Sequence, residues 1–265
     1  MAAYWEFVDV VQAEAPELRL GCGFIELAQP DLDTAIARLA DAGASRVVAV
    51  PLVLLGAGHM KNDGPATLAR ARARHAGVTF AYARALGIHP TPLEVAAERI
   101  GSTLAEWPRD ATAVVVVSRG SSDPDANADL YKVARLLWGG RRTELVEPAF
   151  VSLAPPSLPE ALDRCRRLGA DRIAVIPYFL FTGVLVERIR SQSQDWQEAH
   201  SDIEVRVGAE MGADRRLARL VLERYREALD GDVRMNCDCC AYRVTLPGFE
   251  DRVGAPLLIH PHVHT

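Results

Sequence analysis

Two stretches of this chain are the same stretch written twice. GFIELAQPDL at 23–32 returns as AFVSLAPPSL at 149–158, and GASRVVAVPLVLL at 43–55 returns as GADRIAVIPYFLF at 169–181, each 126 residues later. A constant offset across separated segments marks an internal duplication, and a unit of about 110–125 residues is of ordinary domain size. Carried backwards, the same offset takes the segment AVVVVSRGSSDPD at 113–125 to a partner upstream of Met1. The reading is that the first copy has lost its opening strand or that the gene starts earlier.

Within each copy, short β-branched apolar runs alternate with helical patterns, the signature of βαβ units around a parallel sheet. Strands are expected near 18–25, 46–53 and 78–83 in the first copy and near 113–118, 144–151, 172–179 and 203–208 in the second. Helices are expected near 2–14, 31–42, 62–75 and 92–105, then near 125–138, 157–168, 185–199 and 213–229. The fold class is therefore α/β, two lobes from a duplication, each a parallel sheet flanked by helices. The polar, Pro-containing stretch 106–112 reads as a linker, giving a first lobe over 1–108, a second over 109–230 and a tail over 231–265. The strand at 113–118 is expected at or near the centre of its sheet, and the first lobe, without its equivalent, is expected to be the less stable.

A net charge of −5 argues against a nucleic-acid or anionic-membrane partner, either of which needs a field of positive sign. No apolar run approaches a membrane span and no secretory leader is evident, so a cytoplasmic location is expected. Three of the five cysteines crowd into MNCDCC at 235–240, a spacing suited to a metal or cluster in a reducing compartment rather than to disulfides.

In open parallel sheets, ligands bind beyond the carboxyl ends of the strands. Glu26 ends the apolar run GCGFIEL, where a carboxylate is costly to bury without a partner, and His59 follows VVAVPLVLLGAG with small residues Gly56, Ala57 and Gly58 around it. Neighbouring strands would bring the two to one pocket. The duplication supplies a control: Ser152 stands opposite Glu26 and Leu185 opposite His59. The scaffold is repeated but the ionisable pair is not, which marks one half as the chemical half. The alternative is a solvated strand end and a loop histidine bonded to backbone.

These residues resemble the class II tetrapyrrole chelatases in their long, cobalt-inserting sirohydrochlorin form. The resemblance runs over nearly the whole chain and is carried by GFIELAQPDL, VPLVLLGAGHMKND, RGSSDPDANADLYKVARLLWGG, IPYFLFTGVLVERI and MNCDCCAYRVTLPGF. It implies two flavodoxin-like lobes with macrocycle and metal meeting in the cleft between them, Co²⁺ as substrate metal, sirohydrochlorin as partner, and a place in cobalamin biosynthesis. It also implies that Glu26 and His59 are the catalytic and metal-binding pair. The family's other functional histidine lies in a Gly-His-Gly-Ser loop after the first strand, the segment the first copy lacks, and Arg119 occupies the matching loop of the second copy.

Metal insertion removes two pyrrole protons and strips water from the ion. A neutral imidazole is a borderline ligand that also accepts a proton, and a carboxylate is a second base or hard ligand, so His59 would hold the metal or take a proton while Glu26 assists. The substrate is a polycarboxylate, which makes Lys61, Arg119, Arg188 and Arg190 candidates for its side chains, against the alternative of a solvated helix face. In RGSSDPDAN, Ser121 and Ser122 before a helix either meet a substrate carboxylate or leave Ser122 or Asp123 to cap the helix. The family's long members carry a similar Met-x-Cys-x-x-Cys segment associated with an iron–sulfur cluster and a His-rich tail thought to hold metal. Here Cys237 and Cys240 are too few for a four-Cys cluster, so a partner chain, as in a homodimer, or His260, His262 and His264 would have to contribute. Zinc on two Cys and two His, or unligated thiols, are the competing readings. Other readings of the whole are an iron or nickel chelatase and a truncated protein that binds metal or tetrapyrrole without turnover.

Overall fold

The computed structural model describes residues 2–108, 112–139 and 145–231. By packing, the described residues divide into two compact units, one of residues 2–14 with those from Ile88 to Leu220, the other of Ala15–Gly87 with residues 221–231. These units cut the chain differently from the repeat. The terminal helix α1 (Ala2–Glu14) and helix α4 (Pro90–Leu104), both within the first repeat, belong to the unit built from the second.

The larger unit holds a four-stranded parallel sheet in the order β4-β3-β5-β6, from β3 (Thr112–Ser118), β4 (Leu145–Phe150), β5 (Arg172–Pro177) and β6 (Glu204–Val207). Strand β3 is central, pairing Val115 with Glu147 on one side and with Val175 on the other. All seven of its residues are buried, as expected of TAVVVVS covered on both faces. Helices α6 (Leu158–Arg167) and α7 (Val184–Ala199) close one face over Val115, Val117, Ile173 and Val175, and α4 with α5 (Pro124–Gly139) closes the other. On that second face Gly208 lets α4 come close, since a Cβ there would strike the Thr103 hydroxyl. Helix α1 docks through Phe7, fully buried, with its ring 5.5 Å from that of Phe181.

The smaller unit has a two-stranded parallel ladder, β1 (Arg46–Ala49) with β2 (Thr79–Tyr82), under α2 (Leu32–Asp41) and α3 (Gly64–Arg74). Its packing centre is small: Ile36, Leu68 and Ala71, with Phe80 and Tyr82 against them. The strand expected at 18–25 does not form. Its repeat equivalent, β4, exists because it pairs with β3, and the described residues of this unit hold no counterpart of β3. What survives is a single bridge, Phe24 to Asp31, which the second copy repeats as Phe150 to Ser157. Asp31 then caps α2, its carboxylate accepting from the Thr34 amide at 2.7 Å, and Ser157 caps α6 in a reciprocal pairing with Glu160.

Helix α8 (Arg215–Asp230) contributes its later turns to the smaller unit. Arg224, only 2% exposed, donates to the carbonyls of Ala85 and Leu86 and to Glu227, which also receives the Arg84 guanidinium. Arg46, the first residue of β1, donates to the carbonyls of Ala228 and Leu229 at the end of α8. No helix among the described residues is long and apolar enough to cross a membrane.

Candidate active site

Strand β1 delivers the chain to a loop, 50–58, that ends in a π-helical turn, His59–Asp63, running straight into α3. Two glycines make this junction possible. A Cβ on Gly56 would come within 2.8 Å of the Met60 side chain, and one on Gly64 would overlap the Tyr82 hydroxyl, which donates to the Met60 carbonyl at 3.0 Å. The turn is thus pinned to the end of β2, and π-turns inside helices are frequent at functional sites.

Glu26 arrives from the corner that the Phe24–Asp31 bridge closes. Its Oε1 lies 3.1 Å from Nε2 of His59, while Nδ1 of the same ring lies 2.7 Å from Oδ2 of Asp63. The three side chains are 24%, 31% and 19% exposed for Glu26, His59 and Asp63, shielded but open to a ligand. An Nδ1–H donated to Asp63 leaves the Nε2 lone pair facing Glu26, so imidazole and carboxylate form a two-donor seat for a cation. With both nitrogens protonated, the ring is an imidazolium held by two carboxylates. The same geometry thus offers donors suited to either a proton or a metal ion. Among the described residues no group of three or more His, Cys, Asp or Glu is arranged to hold a metal.

The expected pair Glu26 and His59 is brought together. Asp63 was missed, although the spacing of His and Asp in HMKND, four residues apart, was a signal for a helical side-chain pair. Lys61 sits half-buried on the same turn, its amide donating to the Ala57 carbonyl at 2.9 Å.

The other candidates lie in the larger unit. Arg119 and Arg188 are exposed, and the Arg119 carbonyl is taken by the amide and hydroxyl of Ser152. Arg190 is committed to Glu187 and Glu210. Ser122 is exposed, but Ser121 is not an open anion site. Its amide donates to Asn127 Oδ1 at 2.9 Å, its carbonyl accepts from Asn127 Nδ2 at 2.7 Å, and its hydroxyl accepts from the Asp123 amide. Of the two capping candidates it is Asp123 that accepts from the Asp125 amide at the start of α5, at 3.0 Å. Cys237, Cys240, His260, His262 and His264 lie outside the described residues.

Leu27, next to Glu26, has φ +64°, and Leu153, next to Ser152, has the same value. The left-handed region costs a residue with a Cβ roughly 1–2 kcal/mol.

The duplicated α/β architecture with parallel sheets is that of the chelatases. The chain belongs to the CbiX family, whose sequence profile matches residues 2–103 and again 113–228. It is 40% identical over 224 residues to a sirohydrochlorin cobaltochelatase of Priestia megaterium, covering 83% of this chain and 73% of that one. It is 29% identical over 198 residues to a sirohydrochlorin ferrochelatase of Bacillus subtilis (strain 168), covering 71% and 75%. Among solved structures, SirB from Bacillus subtilis with Fe³⁺ superposes with TM-score 0.73 at 26% identity, covering 87% of this chain and 92% of that chain. SirB from Bacillus subtilis subspecies spizizenii in complex with cobalt gives TM-score 0.70 at 26% identity, with 87% and 90% covered.

Proposed function

We propose that this chain inserts a divalent metal ion into sirohydrochlorin, with Co²⁺ as the metal, as a step towards a cobalamin-type corrinoid in the cytoplasm. The observation that carries the reading is the His59–Glu26 pair, Nε2 to Oε1 at 3.1 Å, with His59 on the loop beyond β1. In this mechanism Asp63 fixes the tautomer of His59 by accepting its Nδ1–H. Nε2 then receives the incoming ion or a pyrrole proton, and Glu26 takes the second proton or steadies the ion as a hard ligand. Two protein donors leave the remaining coordination positions of the ion to water and then to the macrocycle nitrogens. Lys61, Arg119, Arg188 and Ser122 are the groups we assign to the substrate's peripheral carboxylates. Cys237 and Cys240, with His260, His262 and His264, are assigned to a separate metal or iron–sulfur centre in the tail, completed by a second copy of the chain if the protein is a homodimer.

Fe²⁺ is the second reading for the metal, because several relatives are named ferrochelatases and one neighbour is described with Fe³⁺. Affinity order alone does not choose Co²⁺, since nitrogen and oxygen ligands of this kind bind Ni²⁺ more tightly. The test is absorbance-monitored conversion of sirohydrochlorin with Co²⁺, Fe²⁺ and Ni²⁺ offered singly and in competition. Faster Co²⁺ insertion supports the proposal. Faster Fe²⁺ or Ni²⁺ insertion replaces the metal, and binding of sirohydrochlorin with no insertion of any metal replaces the enzyme with a binding protein.

A further inference from the structure

Leu27 is the immediate neighbour of Glu26, and burial among the described residues does not account for its side chain. It is 85% exposed, and Ile25 on the other side of Glu26 is 42% exposed. Burial therefore does not select leucine here. Nor does the backbone, because φ +64° is met with less strain by Gly or Asn, either of which would also suit water better. The repeat keeps this leucine in both corners, and only in the first does it stand beside a carboxylate. Leu153 has the same φ and is 65% exposed, so the second copy keeps the strained, exposed leucine where it has Ser152 in place of Glu26.

We infer that Leu27 is an apolar rest for the face of the tetrapyrrole bound at the Glu26–His59 pair, a role that rests on the function proposed above. A tetrapyrrole carries its charge on the rim and an apolar π-surface within it. Groups that reach its central nitrogens must stand under that surface, so the residues flanking them meet the ring face rather than its carboxylates. Leu27 and Ile25 flank Glu26 in the chain, both exposed. Covering them with the ring removes water from around the carboxylate, which strengthens its hold on a proton or metal.

The experiment uses the full chain with Leu27→Gly, Leu27→Asn and Leu27→Met. The readouts are Kd for metal-free sirohydrochlorin by fluorescence quenching, Kd for Co²⁺ without macrocycle, KM and kcat, and Tm. Gly and Asn relieve the backbone, so Tm is expected to stay level or rise, while Kd and KM for sirohydrochlorin rise about tenfold through loss of apolar contact. Co²⁺ binding is expected to be unchanged, and Met, which restores apolar reach, to return sirohydrochlorin affinity to within about twofold. Sirohydrochlorin affinity within twofold of wild type in Leu27→Gly, with wild type active, would overturn the inference and leave the proposed function standing. Parallel loss of Co²⁺ affinity would overturn it as well, since that marks collapse of the corner. A wild-type chain that neither binds nor converts sirohydrochlorin overturns the functional reading, and this inference with it.

Discussion

The corner from Phe24 to Asp31 and the corner from Phe150 to Ser157 share one backbone course: the same bridge, the same left-handed leucine and a capping side chain at the same place. They differ in what supports them and in what they carry. The second rises from a strand paired along β3, in a sheet whose central strand is wholly buried. The first rises from chain that forms no strand, beside a two-stranded ladder, yet it is the one that carries Glu26 within reach of His59. The duplicated corners thus differ, with the packed sheet under one and the ionisable pair at the other. Local stability and function commonly divide in this way.

Substitution at the pair should break the comparison hardest. His59→Ala is expected to lower kcat for metal insertion by at least about a hundredfold and Glu26→Gln by a smaller factor, whereas Ser152→Ala, at the position matching Glu26, should stay within about threefold. Equal losses at Glu26 and Ser152, read by steady-state absorbance kinetics, would erase the asymmetry. Hydrogen exchange measures the other half of it. Amides of Val114–Val117 in β3 should exchange at least about a hundredfold more slowly than those of Val47–Ala49 and Phe80–Tyr82, and equal protection would refute the difference in support.

A smaller effect is expected at Asp63. Asp63→Asn should weaken Co²⁺ binding or turnover by roughly tenfold, with Tm near wild type, because the ring loses its preferred tautomer and not its position. A variant indistinguishable from wild type in the Co²⁺ absorption spectrum and in kcat would remove Asp63 from the site. The smallest effect concerns acid. Hydrogen bonding from Arg84, then the nearby Arg224, holds the Glu227 carboxyl below its ordinary value of 4.5. A lowered folded-state pKa contributes stability that is present above the unfolded value and is lost as pH falls through the folded one. The Tm gap between wild type and Glu227→Gln should therefore be largest above about pH 4.5 and close on further acidification. A gap that widened in acid would contradict the pairing.

Much of this was legible from the repeat. Alternating apolar runs and helical patterns foretold the α/β class and the interior place of β3, and Glu26 and His59 meet although the strand that Glu26 was to end does not form. What the sequence hid is non-local. Residues 18–25 carry a strand pattern, but a strand also needs a neighbour, and the described part of that unit provides none. Ser121 looked like an anion-binding amide because its partner Asn127 is six residues away, on the first turns of the next helix. Helix docking likewise follows contacts that the sequence order does not display, so α1 and α4 pack with the unit of the second repeat. Asp63 was hidden by a different cause: with the helix expected from 62, His59 lies outside it and the four-residue spacing does not register as a helical pair.

The π-turn at His59–Asp63 is in effect an insertion carried inside a helix, one residue more than an α-helical turn requires. Its removal is a one-codon edit. Deleting Asn62 would let the turn run on as regular helix into α3, but each residue of an α-helix advances the phase by about 100°, so His59 would swing away from Glu26 while every side chain of the pair remained in the sequence. The orientation of the imidazole is thus written in chain length, where a scan of single substitutions never looks.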